Sequence, residues 1–78
     1  MIMNDGLTIL RIVSEYTQDG SIAMDVAFAD LNIDSLEFLQ IINDVEKALN
    51  IHISNDALSH IVLVRDLVAE AEALRPSS

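Results

Sequence analysis

The 78-residue chain contains no cysteine and no tryptophan, and only one proline, two glycines, one tyrosine and two phenylalanines. Without cysteine there is no disulfide framework, no thiolate metal site and no cysteine nucleophile. Any thiol chemistry would have to be imported on a cofactor. Basic residues are scarce as well: four stand against thirteen acids, for a net charge of −9. A surface of that sign repels phosphate backbones, and Arg11, Arg65 and Arg75 are scattered with no basic stripe or phosphate clamp among them. Nucleic acid and anionic membrane are therefore poor partners, and a basic protein surface is a better one. No apolar run approaches the ~18 residues a membrane helix needs. The opening "MIMNDG" lacks a charged leader and a long apolar stretch, so no signal peptide is expected. A cytoplasmic monomer without membrane insertion is the expectation.

About half of the residues are apolar, in clusters along the whole length, which argues for a folded chain. The length suits one domain over residues 1–78, with a mobile tail from about residue 75. A core this small supplies a net stability of roughly 3–5 kcal/mol.

Helical periodicity dominates. In "NDGLTILRIVSEY", Ile9, Ile12, Val13 and Tyr16 recur on one helical face, with Asn4 or Asp5 available as cap. Residues 17–33 read as a long connection, with a turn at Asp19-Gly20 and with Ile22, Phe28 and Leu31 as its buried pins. A second helix is expected from Ser35 to Leu49, capped by Asp34, with Glu37 completing a capping box. Its buried stripe is Phe38, Ile41, Ile42, Val45, Ala48 and Leu49. Gln40, Asn43, Asp44 and Lys47 take the opposite side, and Leu36 is the one large apolar residue on it. A short helix follows an extended "NIHIS", with Ser54 or Asn55 as cap, and a last helix runs over Val64–Leu74. Leu63 stands where the cap of that last helix belongs, so its first turn must fray or find another acceptor. The expected fold is all-α: a small four-helix bundle of three main helices and one short one, with a long loop between the first two.

Ser35 sits at the first helical position after the Asp34 cap, where free backbone N–H groups and the positive end of the helix dipole favour an anion. A phosphorylated or phosphodiester-linked serine suits that place. Asp34 partly opposes it by charge, unless its carboxylate turns to the backbone or helps to hold a cation during transfer. Taken singly, Asp-Ser-Leu is a weak signal and Ser35 could be an ordinary helix-start residue.

The wider stretch "FADLNIDSLEFLQIINDVEKALNIHIS" resembles the acyl carrier protein family. The shared pattern is the apolar anchor Phe28, then Leu31 three residues before Asp34-Ser35-Leu36, then an amphipathic helix with acids such as Glu37 and Glu46. Ile51, Ile53, the short third helix and "VRDLV" extend the likeness over nearly the whole chain. The resemblance implies a carrier, not an enzyme. A 4′-phosphopantetheine arm would be attached to Ser35 from coenzyme A by a separate magnesium-using phosphopantetheinyl transferase. Acyl groups would ride on the arm as thioesters between loading, transfer and condensing enzymes of fatty-acid, lipid or polyketide-type assembly. It also implies that Leu36 gives partners an apolar contact, while Glu37, Asp44 and Glu46 meet their basic residues. Each such exposed pair is worth about 0–1 kcal/mol, which suits brief docking. Asn32 stands where the family often has Gly, and Asn also tolerates left-handed backbone. Gln40, Asn43 and Lys47 depart from the fatty-acid carriers and point to a specialised pathway. An aminoacyl, peptidyl or D-alanyl carrier is the alternative within the class; a small acidic helical adaptor without prosthetic group is the alternative outside it.

Catalytic and metal roles are not expected elsewhere. His52 and His60 read as surface residues, and a small bundle offers no cleft for a Ser-His-acid triad. The acids at 37, 44 and 46 have no metal-cage spacing, and Met1, Met3 and Met24 fill gaps or lie at the terminus.

Overall fold

The structure, a computed structural model, describes residues 5–17 and 22–74. Among these residues four α-helices run in the order α1 (Asp5–Ser14), α2 (Ser35–Leu49), α3 (Asn55–Leu58) and α4 (Val64–Leu74). The bundle expected from periodicity is present, and α2 and α4 have the expected bounds. Within the described residues α1 begins at Asp5; Asn4, the turn at Asp19-Gly20, Met1, Met3 and the tail lie outside them.

The core is one apolar cluster. Ile9 and Val13 of α1, Ile41 and Val45 of α2 and Val64, Leu67 and Ala71 of α4 are fully buried. α1 packs against both α2 and α4. Of the stripe expected on α2, Ile41, Ile42, Val45 and Leu49 are buried and Phe38 is half-buried, but Ala48 is exposed. At 100° per residue Ala48 falls at the stripe's edge, about 75° from its centre. Leu36 is 66 % exposed, and its isolation also needs correction: Leu39 is 52 % and Val62 60 % exposed, so an apolar patch surrounds the start of α2.

The long connection is held down at the three expected pins. Phe28 is buried, while Ile22 and Leu31 are half-buried against the core. It contains a 3-10 helix over Phe28–Leu31, which periodicity did not reveal, and it ends in Asn32 with left-handed backbone (φ 61°, ψ 37°). Asn is one of the few residues that adopt this conformation readily. Asn50 repeats the device, ending α2 at φ 57°.

The uncapped start of α4 finds acceptors in two places. The Asp66 carboxylate takes the N–H groups of Val62 (3.0 Å) and Leu63 (2.8 Å) through Oδ2. Val64 N–H donates to the Val26 carbonyl at 2.9 Å and Arg65 N–H to that of Met24 at 2.8 Å. Phe28 N–H donates back to the Val62 carbonyl at 3.0 Å. The first loop is thereby stitched to the start of α4 and brought alongside the start of α2.

Candidate functional site

Ser35 opens α2 and is exposed. Its hydroxyl makes no hydrogen bond among the described residues. The capping box around it is complete: Glu37 N–H donates to Asp34 Oδ1 at 2.8 Å, and Asp34 N–H donates to Glu37 Oε1 at 3.3 Å. Asp34 thus turns one carboxylate oxygen to the backbone, as the charge argument required. The next N–H, that of Phe38, is taken by the Asp34 carbonyl at 2.9 Å. The N–H groups of Ser35 and Leu36 have no partner among the described residues. Two donors and the positive end of a fifteen-residue helix therefore lie beside the Ser35 hydroxyl.

Next to this turn lies an open cleft of about 450 Å³. Phe28 and Ile33 of the first loop, Phe38 and Leu39 of α2, and Ile61 and Val62 before α4 line it, with Ser35 and Asp34 at its polar end. The rings of Phe28 and Phe38 meet edge to face, 5.1 Å apart at 71°, and hold the loop against α2. The stitch between Val62 and Phe28 joins two of the lining residues through the backbone.

The three acids read as docking residues each hold an internal bond. Glu37 closes the capping box. Asp44 Oδ2 accepts from the Tyr16 hydroxyl at 2.6 Å, tying α2 to the end of α1. That bond, followed by partial burial and the charges of Asp44, Glu15 and Glu37, pushes the Tyr16 phenol up from its ordinary value. Glu46 Oε2 accepts from Ile53 N–H at 2.7 Å and lies 3.5 Å from Nδ1 of exposed His52. All three acids are half-buried and flank α2.

Asp66 and the exposed Leu39 and Val62 are the contributors that sequence reasoning missed. An acid three residues past the helix entry was the available signal for Asp66, since that position can accept from the first free N–H groups. Backbone hydrogen bonds from Leu63 and Val62 hold its carboxyl below the ordinary value against partial burial, helped by the charge of Arg65. Among the described residues no group of three or more His, Asp or Glu is placed to hold a metal ion. No helix there is long and apolar enough to cross a membrane.

A serine-linked phosphodiester fits this turn. It would find an exposed hydroxyl, two open N–H donors and room along an apolar cleft, and no protein hydrogen bond would have to break.

The profile of the family described as the phosphopantetheine attachment site matches residues 8–71. An acyl carrier protein of Streptococcus pneumoniae serotype 4 is 39% identical over 62 residues, covering 78% of this chain and 81% of the relative. One from a second strain of that species matches equally, 39% over 62 residues. The chain belongs to the acyl carrier protein family, whose members are carriers of covalently bound 4′-phosphopantetheine.

Proposed function

We propose that this protein is a cytoplasmic carrier of acyl thioesters, not itself an enzyme, and that Ser35 is its attachment residue. The observation behind this reading is the exposed Ser35 hydroxyl beside two open N–H groups at the head of α2. Once attached, the 4′-phosphopantetheine group supplies the thiol that this cysteine-free chain lacks. Ser35 offers the hydroxyl that forms the new phosphoester as coenzyme A releases its nucleotide half, and the proton passes to the transferase. The Ser35 and Leu36 N–H groups would be the donors available to the resulting phosphate. Asp34 holds the turn in place through the capping box.

The apolar lining of the cleft favours acyl cargo over aminoacyl, peptidyl or D-alanyl cargo. Phe28, Ile33, Phe38, Leu39, Ile61 and Val62 offer such a chain an apolar wall. Loading and transfer enzymes of lipid or polyketide-type assembly would approach along α2. Leu36 gives them an apolar contact, and the outer oxygens of Glu37, Asp44 and Glu46 are available to their basic residues. The net charge of −9 supports long-range attraction of such surfaces.

Intact-mass measurement after incubation with coenzyme A and a broad-specificity phosphopantetheinyl transferase tests the reading. One added arm is expected, and Ser35→Ala abolishes it. No mass gain under conditions that modify a control carrier would instead support an adaptor without prosthetic group. A panel of acyl and amino-acid ligases then separates the cargo classes by which of them charges the arm.

A further inference from the structure

The outermost line of α2 carries no acid. At 100° per residue, Leu36, Gln40, Asn43 and Lys47 fall within about 60° of one another, opposite the buried stripe. All four are exposed, and exposed Leu39 adjoins the line at its start. Measured from the middle of that line, Asp44 lies about 70° and Glu37 about 90° to one side, and Glu46 about 90° to the other. Each of those carboxylates is half-buried and bonded inside the protein, to Asp34, Tyr16 and Ile53 respectively. Lys47 has no ion-pair partner among the described residues, although the chain has thirteen acids and a net charge of −9. The line that a partner meets first along α2 therefore runs from apolar through neutral polar to one unpaired cation.

We infer that the surface docking on α2 beside Ser35 is apolar opposite Leu36 and Leu39 and presents a carboxylate opposite Lys47. This rests on the carrier reading. Leu36 and Lys47 are eleven positions apart, which sets the two contacts about 16 Å apart along the helix axis. Overall charge attracts a basic surface at a distance, but close contact along this line is decided by the groups that reach farthest out. A uniformly basic surface would bring its charge against Lys47. A surface with one acid at that point gains a pair and fixes its register along the helix, which orients Ser35. The occupant to which the inference commits is the phosphopantetheinyl transferase of the same cell, which must dock here if Ser35 is modified.

The two kinds of surface give opposite signs for one substitution. Lys47→Glu adds a carboxylate to α2. A purely basic transferase surface would work faster on that variant, while a surface with an acid at Lys47 would work more slowly. The slowing in kcat/KM for arm transfer is expected at roughly fivefold to tenfold, because reversing a modest exposed pair replaces attraction by repulsion. It should shrink in about 0.5 M salt, where exposed charges are screened. Lys47→Gln should fall between wild type and Lys47→Glu, and urea midpoints confirm that both variants are folded. Slowing of about threefold or more that salt relieves supports the inference. Smaller slowing, acceleration, or slowing indifferent to salt overturns it. Modification of wild type at Ser35 is scored separately by mass. If wild type never takes the arm, the carrier reading fails and this inference falls with it.

Discussion

The Phe28–Phe38 pair is the joint between the first loop and α2, and its strength can be worked out from the geometry. Phe28 is 6 % exposed and Phe38 is half-buried, with centroids 5.1 Å apart in an edge-to-face arrangement. Phe28→Leu removes roughly 1 kcal/mol of apolar burial, on the scale of one to two methylenes. It also removes the ring pair, worth about 0.5–1.5 kcal/mol beyond area. The expected loss of about 2 kcal/mol is a large share of the roughly 3–5 kcal/mol available to so small a core. It corresponds to a fall in Tm of about 8–16 °C for a chain of this size. Urea unfolding of wild type, Phe28→Leu, Phe38→Leu and the double variant isolates the pair. The double variant should be more stable than the sum of the single losses predicts, by about 0.5–1.5 kcal/mol. Coupling below about 0.3 kcal/mol, within the usual error of additivity, would refute the claim that these rings join loop to helix.

Two further outcomes test the frame around the site. Asp66→Asn should lower the urea midpoint at neutral pH and flatten the acid limb of stability, because the Asp66 carboxyl sits below its ordinary value when folded. Its contribution is present above the unfolded value, near pH 4, and is lost as pH falls through the lower folded value. An acid limb as steep in Asp66→Asn as in wild type would show that the carboxylate does not hold the entry to α4. At Asn32, with φ 61°, Ala should cost about 1 kcal/mol while Gly is near neutral, as the left-handed conformation dictates. Equal Tm values for Asn32→Ala and wild type would refute that cause.

Much of the frame was legible because it is local. Asp34 and Glu37 announce the start of α2 three residues apart, and apolar spacing carries α2 and α4 to their observed ends. Ser35 stood out for the same reason, as the residue just inside a capped helix. The less visible features depend on distant neighbours. Tyr16 and Asp44 are 28 positions apart, so nothing local marks Asp44 as an internal acceptor. The 3-10 helix at Phe28 and the stitch to α4 use backbone carbonyls, which have no residue signature. Periodicity places Leu39 outside the buried stripe but cannot say that the first turns of α2 border an open cleft.

The two long helices after the loop begin in opposite ways, and the contrast explains how this frame serves a carrier. At the entry of α4 the N–H groups of Leu63, Val64, Arg65 and Asp66 all have acceptors: the Asp66 carboxylate and the carbonyls of Val26, Met24 and Leu63. At the entry of α2 only the outer two of the corresponding four, on Asp34 and Glu37, are held. Exposure makes this tolerable, because water satisfies the N–H groups of Ser35 and Leu36 at little cost. A phosphate on Ser35 would then replace water instead of competing with protein. The saturated entry of α4 meanwhile fixes the loop that forms one wall of the cleft. One helix start is closed to hold the frame, and the other is left open where an anion can be received.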